Sequence, residues 1–304
     1  MANCPSCAVV FCSRLRPAPA KFKLSHVAAL FIGFVAAVGA QGQLEFRKLD
    51  EAILQARLET FSRKNDEREA MLKKLFLESG CDPKQMSEQL VKKKIVPNLI
   101  CVLPGESDDI ILVGAHFDKV NAGDGVVDNW SGASLLPSLL YSLNDKPRHH
   151  TFVFVGFTGE ELGLVGSEFY ARKLSTEQRS KVKGMVNLDT LGLGPTKIWA
   201  THADPPMLLA IGSIAQAMKL PIGVVNVDQV GLSDSESFVK YKIPRITIHS
   251  VTQETWPLLH TDKDKLAAIK MDDYYATYRL LAGYLAYLDT YLGKPPAAPA
   301  LATH

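Results

Sequence analysis

Short apolar runs alternate with stretches of helical periodicity along most of this chain, and that alternation is what most constrains the fold. Runs at 98–103, 109–115, 151–157, 184–188, 222–227 and 245–249 carry repeated Val, Ile, Leu or Phe, and 197–201 reads as a further short strand. Residues 131–143, 164–174, 204–220 and 271–292 read as helices. Strand and helix taking turns predict an α/β fold in one domain, with a mostly parallel sheet. The run 151–157 is bulky and continuous, which predicts a strand buried on both faces. Pro104-Gly105 between the first two runs reads as a hairpin, giving the sheet an antiparallel edge. Ahead of the strands, 44–63 and 66–78 read as amphipathic helices. Lys92-Lys93-Lys94 reads as a solvated turn.

The first forty residues are of a different kind. Arg14, Arg16, Lys21 and Lys23 precede an apolar run at 27–40 that ends Val38-Gly39-Ala40, and polar Gln41-Gly42-Gln43 follows. The run is shorter than the ~20 residues of a membrane-spanning helix, and its small-residue end suits signal peptidase. Residues 1–40 are therefore expected to be a cleaved signal peptide, with an uncleaved membrane anchor as the rival. Residues 41–294 are then one domain, and the Pro/Ala-rich stretch 295–304 a disordered tail. The expected location is secreted or periplasmic, or membrane-anchored with the domain outside the cytoplasm. Loss of the four basic residues takes the formal charge from +2 to −2. No basic excess survives, so a nucleic-acid partner is not expected. Three of the five cysteines, Cys4, Cys7 and Cys12, lie in the leader, so Cys4-x-x-Cys7 is not read as a zinc or redox motif. Cys81 and Cys101 either pair in an oxidising compartment or remain buried thiols; the sequence leaves both open.

Chemistry gathers at the ends of the apolar runs. The run 109–115 delivers His116, with Asp118 two residues on. Asp128 lies ten residues further, beyond the loop Gly123-Asp124-Gly125. The run 151–157 leads to Gly159-Glu160-Glu161, and 184–188 ends in Asp189. After 245–249 and a loop comes His260. The carboxyl ends of strands are where an open α/β sheet presents its ligand groups. Imidazole and carboxylate are the donors zinc takes at a site that stays reactive. Clustered carboxylates repel one another unless cations sit between them. With Asp128, Glu161 and Asp189 ionised and His116 and His260 neutral, two Zn²⁺ ions and a bridging hydroxide bring the sum of charge to zero. Asp128, on a flexible loop, is the natural bridge. Glu160 is left free to act as a general base. Asp118 suits an orienting role on the His116 imidazole.

Taken alone, Asp189 would read as a turn residue, and Glu160-Glu161 as the acidic first turn of a helix. The five-member set outweighs both readings. His149 and His150 read as exposed loop residues, and His249 as a satisfied core or rim histidine. His202 shows no partner pattern. Gly123-x-Gly125 lacks the helix and third glycine of a nucleotide fingerprint.

His116-Phe117-Asp118, Asp128-Asn129, Gly159-Glu160-Glu161, Asn187-Leu188-Asp189 and His260-Thr261-Asp262 together resemble the M28 family of zinc metallopeptidases, the secreted aminopeptidase group. The similarity runs over residues 85–290. It implies a three-layer αβα sandwich with a mixed, mostly parallel central sheet. It also implies two Zn²⁺ ions held by His116, Asp128, Glu161, Asp189 and His260, with Asp128 bridging. Glu160 is then the general base and Asp118 the supporting acid, and the Asp128–Asn129 peptide is cis. The implied activity is that of a metallo-aminopeptidase: hydrolysis of the N-terminal peptide bond of peptides through a metal-bridging hydroxide. Carboxypeptidase or glutaminyl cyclase-like activity on the same scaffold is the alternative, and a catalytically inactive binding domain a more distant one. Lys242 and Arg245 are the cations a carboxypeptidase would have to use. One departure stands out: Ser233-Asp234-Ser235 occupies the place where many members carry Ser-Asp-His, which removes an imidazole. Tyr241, Trp256, Leu258 and Leu259 are candidates for a specificity pocket by proximity in sequence.

Overall fold

The computed structural model describes residues 45–292 apart from Val230. The expected signal peptide or anchor at 1–40, the leader cysteines and the tail at 295–304 lie outside the described residues. Eight strands form one sheet: β1 (Met86–Gln89), β2 (Asn98–Leu103), β3 (Ser107–His116), β4 (His150–Phe157), β5 (Val182–Leu188), β6 (Thr196–Ile198), β7 (Ile222–Val224) and β8 (Arg245–His249). Their order across the sheet is β1-β2-β4-β3-β5-β8-β6-β7. Four neighbouring pairs are parallel (β4/β3, β3/β5, β5/β8, β6/β7), and three are antiparallel. The expected mixed, mostly parallel sheet is what forms. The helices are α1 (Glu51–Leu58), α2 (Asn65–Glu78), α3 (Ser131–Leu143), α4 (Val165–Lys173), α5 (Thr176–Lys181), α6 (Pro205–Met218) and α7 (Met271–Tyr291). No helix among the described residues is long and apolar enough to cross a membrane.

Alternation along the strands divides the core into two layers, because successive side chains of a strand point to opposite faces. Val113, Ala115, Phe152, Phe154, Val186 and Leu188 pack with the buried sides of α2, α3, α6 and α7. Leu112, Val153, Val155, Phe157 and Met185 pack on the other face with Tyr170 of α4 and with Phe238. The central strands are thus buried on both sides, as the continuous run at 151–157 predicts.

The predicted hairpin between 98–103 and 109–115 is not formed. Strand β4 lies between β2 and β3, antiparallel to the first and parallel to the second. Pro104-Gly105 does turn the chain, but the turn closes over the start of β4. Glu106 N–H donates to Arg148 O and Ser107 N–H to His149 O, each at 2.8 Å. A Cβ on Gly105 would lie 2.3 Å from the His150 carbonyl, so only glycine lets the two backbones approach. The antiparallel edge comes instead from β1 against β2, with Lys92, Lys93 and Lys94 exposed in the turn between them.

Two further expectations change. The helix expected over 44–63 is confined to α1, because residues 45–50 run extended to reach α7: Leu49 N–H donates to the Tyr278 hydroxyl at 2.7 Å. His150 is buried and not in an exposed loop. Its backbone N–H donates to the Asp289 carboxylate and its Nδ1 to Asp289 O, both at 2.8 Å. That partner lies 139 residues away in α7.

Cys81, just past α2, and Cys101, on β2, are joined by a disulfide with their Cα atoms 6.3 Å apart. Closing a loop of this size removes chain entropy from the unfolded state, worth about 3 kcal/mol. Replacing both cysteines by serine is expected to lower the unfolding free energy by about that amount, read from the urea midpoint. An unchanged midpoint would mean that the two thiols do not pair.

Candidate metal centre

Parallel pairing brings the ends of three strands to one edge. His116 pairs with Phe157 across β3 and β4, and Gly114 with Asn187 across β3 and β5. The turns after those strands carry Glu160, Glu161 and Asp189. Several of these turns use left-handed backbone: Gly159 (φ +65°) before the two glutamates, Thr190 (φ +53°) after Asp189, and His260 itself (φ +59°). Left-handed non-glycine residues are uncommon and gather where the surroundings hold them in place.

The structure brings all five expected donors together. His116 Nε2 lies 3.2 Å from Asp128 Oδ1 and 3.6 Å from Asp189 Oδ1. His260 Nε2 lies 3.1 Å from Asp128 Oδ2 and 3.1 Å from Glu161 Oε2. Two donor triads result, His116–Asp128–Asp189 and Asp128–Glu161–His260, each with its donor atoms within 4.8 Å of one another. Glu160 joins His116 and Glu161 at the same limit. The Asp128–Asn129 peptide is cis. His116 Nδ1 lies 3.2 Å from the main-chain oxygen of Asp118. Donation there puts the proton on Nδ1 and leaves the Nε2 lone pair for a cation.

Asp118 does a second thing. Its carboxylate accepts the N–H groups of Glu160 (3.1 Å) and Glu161 (3.3 Å), fixing the turn that carries both glutamates, while its Oδ1 stays 3.7 Å from the imidazole. Sequence reasoning missed three residues that work the same way. Asn129 Oδ1 accepts from Gly132 N–H and Thr190 N–H, and its Nδ2 donates to Leu188 O, so it ties Asp128 to the Asp189 turn. Asp264 accepts from Val127 N–H (2.7 Å) and Asp128 N–H (3.1 Å). Arg68, fully buried, donates to the carbonyls of Ser62, Phe117, Asp124 and Gly125. Asp262, the motif aspartate after His260, is exposed; Asp264 is the buried one.

The field at this edge is strongly negative. Burial, with Asp234, Asp189 and Asp128 nearby, pushes Glu160 up to about 10 against the pull of His116. Burial likewise raises Asp234 to about 7. Hydrogen bonds to Asp128 and Glu161 raise His260 to about 10. Burial works against Asp128, yet the bonds from His116 and His260 hold it below the usual carboxylate range. The protein's own groups would gather protons here, which is the behaviour of a site that pairs with cations.

Other residues flagged in the sequence fall elsewhere. Ser235 is buried and accepts from the Thr247 hydroxyl at 2.8 Å. Tyr241 lies under the Arg179 guanidinium, 3.8 Å from its ring centre, on the far face of the sheet. Leu258 and Leu259 pack with Val127, Leu193 and Val251, an apolar wall beside Asp128 and His260. Trp256 is exposed. Arg245 sits at the amino end of β8, level with Met185, and pairs with Glu236 at 3.2 Å. His202, which shows no partner pattern in the sequence, is held between Glu236 (2.7 Å) and Asp228 (3.0 Å) and stacks on Trp199.

The fold and site define a class: an α/β protein with imidazole and carboxylate groups gathered along the carboxyl edge of its sheet, where they could hold metal ions. The sequence model of peptidase family M28 matches residues 98–285, more than half of the chain, and the chain belongs to that family. Over 88 residues it is 36% identical to a probable leucine aminopeptidase 2 of Trichophyton verrucosum, covering 29% of this chain and 18% of that protein. The chain thus spans less than a fifth of that relative's length. Its fold is similar to that of a zinc aminopeptidase from Bacillus subtilis, with a TM-score of 0.58 and 23% identity over 63% of this chain and 50% of that one. A glutaminyl cyclase from an Acidobacteriales bacterium is also similar, with a TM-score of 0.66 and 18% identity over 79% of this chain and 94% of that one. At such identities the likeness is one of fold.

His249 ends β8 as a satisfied core histidine. Its Nε2 donates to Val225 O at 2.9 Å, and its Nδ1 accepts the Val251 N–H at 3.1 Å. Burial pushes the imidazole down from 6.5 to about 4. Between those two values the unfolded chain binds a proton that the folded chain refuses, so stability falls as pH falls through the window. The loss amounts to about 3 kcal/mol. His249→Gln is expected to flatten this slope. Urea unfolding at pH 7 and pH 4.5 measures it, and an equal loss in both proteins would assign the slope to other groups.

Proposed function

We propose that this chain is a two-zinc aminopeptidase. One ion would be held by His116, Asp128 and Asp189, the other by Asp128, Glu161 and His260. The observation that carries this reading is the division of Asp128: Oδ1 faces His116 and Oδ2 faces His260, so one carboxylate serves both triads. The residues fit zinc. They offer imidazole nitrogen and carboxylate oxygen, the donors of reactive zinc sites. Glu161 Oε1 is buried without a hydrogen-bond partner, as an oxygen reserved for a cation would be. The names of the fungal leucine aminopeptidase and the bacterial zinc aminopeptidase support the same reading.

Zinc, when bound, supplies Lewis acidity toward the scissile carbonyl and lowers the pKa of water. The chain's own groups do the rest. Glu160 is not needed as a donor; with cations offsetting the carboxylates that hold its proton affinity up, it would be ionised, and it then takes a proton from the attacking water onto a carboxylate oxygen and passes it to the nitrogen of the leaving amine. Asp118 keeps Glu160 facing the reaction by holding its backbone N–H. The acidic edge attracts the α-ammonium of a peptide with a free N-terminus. The wall of Val127, Leu193, Val251, Leu258 and Leu259 keeps water from one side. A carboxypeptidase would need a cation for the terminal carboxylate. Arg245 lies a strand's length from the donors and is already paired with Glu236.

A cleaved leader and a secreted or periplasmic location belong to the same proposal. The Cys81–Cys101 disulfide supports them, since such bonds persist in oxidising compartments.

Metal analysis of the purified chain is expected to give two zinc ions per molecule, and one or none would remove the two-ion reading. Glu160→Gln is expected to keep both ions and lose turnover of an aminoacyl arylamide by roughly a hundred- to ten-thousand-fold. Near-normal turnover would mean that another group moves the proton. Cleavage of N-acetylated peptides as fast as free ones would overturn the aminopeptidase assignment.

A further inference from the structure

Asp128 lies in the loop between β3 and α3, and the backbone of that loop is gripped from two sides. Its carbonyls face a cation: Arg68 donates to the oxygens of Phe117, Asp124 and Gly125. Its amides face an anion: Asp264 accepts the N–H groups of Val127 and Asp128. Asp264 is only 2% exposed, and it stands four residues beyond His260. Two more contacts close the seam. Asp124 N–H donates to Asp264 O at 2.8 Å. Gly123, at φ +64°, lies so near Thr261 that a Cβ would be 2.3 Å from its carbonyl oxygen. The segment that carries His260 is therefore zipped to the segment that carries Asp128, although Asp128 and Asp264 are 136 positions apart in sequence.

We propose that Asp264 is the positioning residue of one donor triad: by holding two amides of the Asp128 loop it sets the spacing of Asp128 and His260, and with it the affinity of the ion shared by Asp128, Glu161 and His260. This rests on the metallopeptidase reading and extends it to a residue outside the donor set. The other triad has its own support. His116 and Asp189 stand at the ends of neighbouring strands β3 and β5, and Asn129 links Asp128 to the Asp189 turn. Loss of Asp264 should therefore weaken one ion and spare the other. A merely structural aspartate would lower stability without separating the two.

The test is metal titration of Asp264→Asn. The amide keeps the size of the side chain but turns an NH₂ toward a backbone N–H, so one of the two bonds is lost. Co²⁺ added to the metal-free chain, followed by visible absorption, reports binding without any assay of activity. The wild-type chain is expected to take up two ions. In Asp264→Asn one ion keeps its affinity and the second binds about 10- to 100-fold more weakly. Gly123→Ala opens the same seam and leaves the carboxylate in place, so it is expected to give the same selective loss. It also carries the test if Asp264→Asn does not fold, which thermal unfolding of the metal-free chains detects. Two ions at unchanged affinity in the folded variants, or equal weakening of both, would overturn the proposal. A wild-type chain that takes up no ion would instead overturn the metallopeptidase reading.

Discussion

Repulsion among buried carboxylates is the constraint from which the rest of this structure follows. Asp118, Asp128, Glu160, Glu161, Asp189, Asp234 and Asp264 all lie at or just behind one edge of the sheet, and few of them reach water freely. Two like charges about 4 Å apart cost roughly 4 kcal/mol at the effective dielectric near a protein surface. A domain's whole net stability is roughly 5–15 kcal/mol. Such a group of acids is tolerable only if positive charge is brought in or if protons are taken up. The raised values of Glu160 and Asp234 show what the chain does with its own groups. Among the described residues Arg68 is the buried guanidinium beneath this edge, and its hydrogen bonds go to backbone carbonyls.

The sheet order answers a different need: donors from distant parts of the chain must end at the same height. Parallel strands β4, β3, β5 and β8 all point their carboxyl ends the same way. Strand ends alone do not fix a carboxylate to a few tenths of an ångström, because each donor sits one to several residues into a turn. The turns are held to one another by short polar side chains that read backbone amides. Asp118 does so for Glu160 and Glu161, Asn129 for Thr190, and Asp264 for Asp128. Each of these side chains has few rotatable bonds, so little entropy is lost in holding it.

Much of this could be read from the residues, and the parts that could not share a cause. Strands, most helices and the convergence of His116, Asp128, Glu161, Asp189 and His260 were legible because each is a local pattern: an apolar run, its period, and the residue that ends it. The place of β4 was not legible. Pro104-Gly105 marks a turn, but nothing local says that residues 150–157 will enter the gap it leaves. His150 was misjudged, and His202 gave no sign of its partners, because the carboxylates they meet are far away in sequence or in another loop. Arg68 and Asp264 were invisible for a further reason. Their partners are main-chain groups, which every residue carries and no sequence distinguishes. The one available signal for Asp264 was its spacing from His260.

The double role proposed for Asp128 also explains why its support comes through the backbone. An ordinary buried aspartate is oriented by hydrogen bonds to its own two oxygens. Asp128 has both oxygens committed, Oδ1 toward His116 and Oδ2 toward His260. A donor placed on either oxygen would compete with the imidazole there or with the cation it is proposed to share. What is left to hold is the main chain around it. That main chain is held from two sides: the amides of residues 127 and 128 by Asp264, the carbonyls of 124 and 125 by Arg68, and the following residue by its own side chain, Asn129. The two grips are opposite in charge and act on opposite poles of the peptide groups. They orient the loop without bringing a competing donor to the carboxylate that the two triads share.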